Sequence, residues 1–175
     1  MRVTLVSYPT EMDKLWCKQC ALGTMGRDSH EPPTTEWLNR ILAARHSPIR
    51  ELWYHYELVV PYWISVHLVR HHVGFHAYVQ SQRNDRQSRY DRTQAPQDAL
   101  VNMRISLNAE ALMNLANKRL CMKAAKETRE VVTEMCRQVL EQCPEFEGLL
   151  VPQCEYGRCH EMQPCGRQKN AVQEG

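Results

Sequence analysis

Chemistry-bearing side chains crowd most densely in Arg70-His71-His72-Val73-Gly74-Phe75-His76-Ala77-Tyr78-Val79-Gln80-Ser81-Gln82-Arg83. Arginine carries a permanent charge and a planar fork of donors matched to phosphate, while serine and glutamine add neutral hydrogen bonds that fix orientation. The run follows directly on an apolar stretch ending at Leu68-Val69, so it reads as an anion site bordering a core. A wet basic strip on the surface is the competing reading.

The cysteines are the second reservoir of chemistry. Cys17-Lys18-Gln19-Cys20 spaces two thiolates to reach one zinc ion, and with Cys154, Cys159 and Cys165 four of the five complete a site if the ends of the chain meet. His160 is a spare ligand, and free thiols or a local disulfide are the alternatives. Cys121, Cys136 and Cys143 sit in or beside a helical pattern, and no export signal precedes them, so the eight cysteines read as reduced thiols. None stands beside an obvious activating base. A glycine-rich dinucleotide fingerprint, a Walker loop and a Gly-x-Ser-x-Gly elbow are absent, so any cofactor is held by other means.

The elements that must position these groups belong to one globular domain. The chain has 175 residues, 43% hydrophobic and 24% charged, enough to bury roughly 70% of the unfolded surface in one core. A net charge of +2 is too small to mark a dedicated nucleic-acid or membrane binder. With no apolar run of membrane length and no signal peptide, the expected address is cytoplasmic. The pattern predicts a strand over 3–6, a helix from Leu15 to Leu22, a loop from Gly23 to Pro33 and a helix from Thr34 to about Ala44. Ser47-Pro48 breaks that helix, a strand runs from Leu52 to Val60, and a buried helix over 62–69 presents Arg70 and His71 at its end. Arg83, Arg86, Arg89 and Arg92 recur every three residues, as on a solvated or subunit-contacting face. A long helical region spans Leu107 to Leu140 with Asn108 as its cap, Pro144 closes it, and residues 168–175 read as a disordered tail to a domain of residues 1–167.

In their order the motifs resemble the flavin-dependent thymidylate synthases. His46-Ser47-Pro48-Ile49-Arg50-Glu51 is similar to the family's His/Thr-Pro/Glu-His region, with Arg45 competing for the place of His46. Val60 to Val69 is similar to the Pro-containing helix before the family signature, which is Arg-His-Arg, seven residues, Ser, then x-Arg. Here the signature is Arg70-His71-His72, eight residues, then Ser81-Gln82-Arg83. Asn108-Ala109-Glu110-Ala111-Leu112-Met113-Asn114-Leu115-Ala116-Asn117-Lys118-Arg119 matches the late helix without a gap. There are departures. His72 replaces an arginine, the gap to Ser81 is one residue longer, and the glutamate before that serine has no counterpart. Glu110 stands where many relatives have arginine, Arg50-Glu51 where Glu-His is expected, and Lys123 at a family histidine.

The resemblance implies an α+β fold with an antiparallel sheet and long helices, assembled as a homotetramer with FAD sites where subunits meet. It implies methylation of dUMP to dTMP, with methylenetetrahydrofolate as carbon donor and NADPH as reductant. Arg70, His71, His72, Asn108 and Asn114 take the FAD role. His67, Gln80, Ser81, Gln82, Arg83 and Arg119 bind the nucleotide, and Arg119 and Ser81 are the catalytic pair. Two alternatives stand beside it: a flavin-binding relative acting on another pyrimidine nucleotide, and a zinc-stabilised nucleic-acid-binding module using Arg83 to Arg92 as a phosphate-tracking strip.

Overall fold

The strand that organises the molecule is Leu100–Asn108, in which Val101, Met103, Ile105 and Leu107 are buried and alternate with Asn102, Arg104 and Ser106. Such strict alternation gives one face to a core and one to water. In this computed structural model, which describes residues 1–83, 85–86, 91, 93–157, 159 and 161–167, four strands form one antiparallel sheet. They are β1 (Arg2–Ser7), β2 (Trp53–Pro61), β3 (Phe75–Val79) and β4 (Leu100–Asn108), in the order β1-β2-β4-β3. On the covered face Tyr54, Tyr56, Leu58 and Val60 of β2 stand opposite Leu107, Ile105, Met103 and Val101 of β4. A one-residue slip would turn all eight outward, so burial fixes the register.

Among the described residues five α-helices accompany the sheet: α1 (Glu11–Gly23), α2 (Thr35–Ala43), α3 (Tyr62–Leu68), α4 (Ala109–Arg119) and α5 (Lys126–Gln142). Val131, Val132, Met135 and Val139 of α5 and Leu112, Leu115 and Ala116 of α4 join the strand residues in one core. Tyr56 Oη donates to the Met135 carbonyl at 2.9 Å, so the buried hydroxyl is satisfied. The opposite sheet face is polar, with Trp53 stacked on His76 and Glu57 paired to Arg104. A mixed helical and antiparallel-sheet domain is thus what the structure contains, as the resemblance implied.

Local chemistry explains the boundaries. Thr10 and Asp13 close a capping box, which starts α1 at Glu11, four residues before the expected Leu15. Thr34 accepts from Trp37 N to begin α2, and Asn108 Oδ1 accepts from Ala111 N at 2.9 Å to begin α4, as its type predicts. Ser47–Glu51 forms a short 3-10 turn at the expected break. The long helical region expected from Leu107 to Leu140 is two helices instead: Leu107 belongs to β4, and the chain leaves the helix between Leu120 and Ala125. No glycine or proline marks that break, so tertiary packing imposes it. Neither β3 nor β4 was expected. Arg89, Arg92, His160 and the tail 168–175 lie outside the described residues, so the arginine strip is visible only in part.

Candidate active site

Arg119 lies in the last turn of α4, half-buried. Its Nη2 donates to the His67 carbonyl at 2.6 Å and its Nε donates to His71 Nε2 at 3.2 Å. His71 is therefore an acceptor at Nε2, which makes the ring neutral with its proton on Nδ1. Burial above all, and then the charges of Arg119 and His72, push its pKa down to about 4, consistent with that role. The guanidinium is held by a backbone oxygen and a neutral ring, with no carboxylate among these two partners, so its charge is available to a ligand.

Around Arg119 opens a cleft of about 420 Å³ whose lining includes Arg70, His71, Lys118, Cys121 and Lys123. Four cationic side chains face it against the single carboxylate of Glu161, a composition suited to a phosphorylated ligand. On the flank of Arg119, His67 meets Thr128 Oγ1 at 3.0 Å through Nδ1 and packs edge-on against Trp63. The turn after α3 leaves Arg70 and His72 exposed. It ends at Gly74 (φ 66°), where an added Cβ would come within 2.4 Å of Asn108 Nδ2. Asn108 N donates to the Gly74 carbonyl at 2.9 Å, which ties the basic turn to the start of α4.

The remaining signature residues lie at the far end of β3, whose five residues span about 17 Å. Gln80 Oε1 accepts from the backbone N and Nδ2 of Asn102, at 3.0 and 2.9 Å. Ser81 Oγ accepts from Arg83 N at 3.3 Å, and Arg83 makes a two-pronged contact with Asp85 at 2.9 and 2.8 Å. Gln82 is half-buried. None of these four lines the Arg119 cleft, so within one chain the signature splits between two places.

The amides of α4 are engaged as well. Asn108 is the helix cap, with its side chain buried beneath Gly74. Asn114 Oδ1 and Asn117 Oδ1 accept from Nη1 and Nη2 of Arg45, both at 2.6 Å, and Asn117 Nδ2 donates to the Val151 carbonyl at 2.7 Å. Arg45 is the one non-glycine residue with positive φ (51°) among the described residues, and its guanidinium lies 5.8 Å from the Tyr156 ring centre. Of the two rivals for one aligned place, Arg45 is the residue that reaches α4. The resemblance implies a cofactor role for Asn114, but here its side-chain oxygen is engaged by Arg45. The fork of Arg45 that occupies it has no local signal, since the partners are 69 and 72 positions apart.

The cysteines do not form the expected set. Cys17 is fully buried in the core, its thiol pushed up to about 12 by burial, and Cys20 lies near it on α1 close to Glu51. Cys154, Cys159 and Cys165 instead line a small pocket with Cys121, which neither Cys17 nor Cys20 reaches. Among the described residues no three His, Cys, Asp or Glu side chains stand in chelating geometry. Two family departures meet in space: Arg50 grips Glu110 through Nε at 2.7 Å and Nη2 at 3.3 Å. No helix among the described residues is long and apolar enough to cross a membrane.

An antiparallel α+β domain whose late helix carries a half-buried arginine into a cationic cleft defines the class. Residues 90–145 match the model of the family described as "Thymidylate synthase complementing protein". Among solved structures the chain is similar to a UMP/dUMP methylase, PolB, from Streptomyces cacaoi, bound with 5-Br dUMP. That likeness has a TM-score of 0.65 at 14% identity, covering 86% of this chain and 96% of the other. No curated protein matches by sequence. The match over residues 90–145 and the likeness of fold agree with the resemblance to the flavin-dependent thymidylate synthases read from the motifs.

Proposed function

We propose that this protein transfers a one-carbon unit to the pyrimidine ring of a uridine nucleotide, converting dUMP to dTMP with FAD, NADPH and methylenetetrahydrofolate. The observation that carries the reading is the cleft in which Arg70, Lys118 and Lys123 surround an Arg119 oriented by His67 and His71. It is supported by the family match over residues 90–145 and by the nucleotide named for the structural neighbour.

In this reading Arg119 faces the pyrimidine and stabilises negative charge as the ring carbon attacks, while Lys118 and Lys123 hold the phosphate. His71 keeps the guanidinium aimed without competing for its charge, because a neutral imidazole accepts a hydrogen bond but forms no ion pair. The exposed Arg70 and His72 have the donor chemistry to hold the anionic parts of FAD, whereas Asn108 and Asn114 are engaged within the chain and act by shaping α4. When bound, FAD supplies the hydride that completes the methyl group. Ser81, Gln82 and Arg83 lie too far along β3 to join the same chain's cleft, so in a homotetramer they serve a neighbouring subunit's site. Binding of a phosphate there exchanges the Asp85 carboxylate on Arg83 for the phosphate oxygens.

The test is tritium release from pyrimidine-labelled dUMP and UMP by the purified, flavin-loaded chain. Arg119→Ala should fold and lose about 10²–10³ in rate. A protein that binds neither flavin nor either nucleotide refutes the proposal, and turnover of UMP alone replaces dUMP as substrate.

A further inference from the structure

One side-chain cluster lies outside the core and borders the cleft, sharing Cys121 with it. Cys121, two residues past the end of α4, and Cys154, Cys159 and Cys165 of the C-terminal segment all line one pocket beside the cleft. We infer that these four thiols form a structural zinc site that staples the C-terminal segment to the end of α4.

The pocket's size selects the occupant. Its free space is about 20 Å³, room for one water-sized body and far too little for an organic ligand. Its chemistry narrows the choice further, because four soft sulfur donors suit tetrahedral zinc, whose structural sites are commonly closed by four cysteines. Cys154 and Cys159 are separated by four residues, within the spacing that lets one loop supply two ligands. Four thiolates around a divalent ion leave a net charge of −2. Lys118 and Arg167 in the same pocket wall offset it, although Arg167 also bonds Glu155 and Glu161 lies nearby.

Past Tyr156, which packs under Arg45, the described part of the segment has no regular structure. After the short 3-10 turn Gln153–Glu155 no helix or strand is formed among the described residues, residues 161–167 are all exposed, and Met162 buries nothing. The thiols are not yet in chelating geometry, so binding draws them inward, and an irregular chain can make that move without breaking a ladder or a core contact. Each zinc–sulfur bond replaces a sulfur–hydrogen bond, and the four protons pass to solvent. Because Cys121, Lys118 and Glu161 line both the pocket and the cleft, the ion would brace the wall that carries Arg119.

The experiment measures zinc in the full-length protein, purified from zinc-supplemented medium, by elemental analysis and native mass spectrometry. Wild type, Cys17→Ser and Cys20→Ser should each carry one zinc per chain, while Cys121→Ser, Cys154→Ser and Cys165→Ser lose it. Circular dichroism confirms folding, and Cys165, exposed and remote from the core, gives the variant least able to disturb it. Replacing zinc by cobalt should add thiolate-to-cobalt absorption in wild type that Cys165→Ser lacks. A zinc-free wild type, retention of zinc by Cys121→Ser or Cys165→Ser, or its loss from Cys17→Ser overturns the site. None of these readouts depends on flavin or nucleotide, so the site stands or falls apart from the proposed activity.

Discussion

Acidification should destabilise this fold through His71 in a way that one substitution can isolate. The ring is held neutral, with its pKa pushed from 6.5 to about 4, so below neutrality the unfolded chain takes up the proton before the folded chain does. The stability this contributes is complete above pH 6.5 and is lost as pH falls towards 4. At about 1.36 kcal/mol per pH unit the ceiling is about 3.4 kcal/mol. Solvent reaches much of the ring, and screening reduces this to about 1–2 kcal/mol. The assay is urea unfolding from pH ~7 to pH ~4.5 of wild type and His71→Gln, whose side-chain oxygen still accepts from Arg119. Glu134, held down to about 2 chiefly by Arg137, and Asp13, lowered by Thr10, also lose stabilisation in acid. Both proteins share them, so they cancel in the difference. Wild type should lose about 1–2 kcal/mol more than the variant over this range. Parallel curves would refute both the neutral state of His71 and its role as acceptor for Arg119.

Three further outcomes follow from the same geometry. Gly74→Ala forces a side chain into the left-handed region and onto Asn108, and should cost over about 2 kcal/mol by thermal melting, whereas Gly26→Ala, with φ 65° but open space, should cost only about 1 kcal/mol. Equal effects would mean that the contact with Asn108 contributes nothing. Tyr56→Phe removes the hydroxyl's bond to the Met135 carbonyl, which keeps its helical partner, and should lower urea stability by about 1 kcal/mol with an unchanged slope. Arg45→Ala should release the C-terminal segment to proteolysis near Tyr156, and Arg45→Lys should restore little, because a lysine cannot serve Asn114 and Asn117 at once.

Much of this was legible in the chain, though unevenly. Asn108 as a cap, the break at Ser47-Pro48 and the helix of residues 62–68 rest on local chemistry, and local chemistry is what a sequence displays. The alternation of Val101, Met103, Ile105 and Leu107 is equally local, a period of two that marks a half-buried strand. The split between α4 and α5 was not legible, because Leu120-Cys121-Met122-Lys123-Ala124-Ala125 holds no breaker. At the candidate site the types were readable and the partners were not. Arg119 fell in register with a family position, yet its seat on His67 and His71 joins residues about fifty positions apart. Cys121 was set aside as helical, and only the fold brings it to the last three cysteines.

The Arg50–Glu110 pair joins segments 60 positions apart, the 3-10 turn before β2 and the first turn of α4. Glu110 also sets its carboxylate where the helix dipole favours negative charge. Removing either partner leaves the other a lone surface charge, and reversing the sign of one alone sets like charges against each other. Anyone building chimaeras from this protein should therefore move both segments together, because a transplant of one carries only half of the clasp.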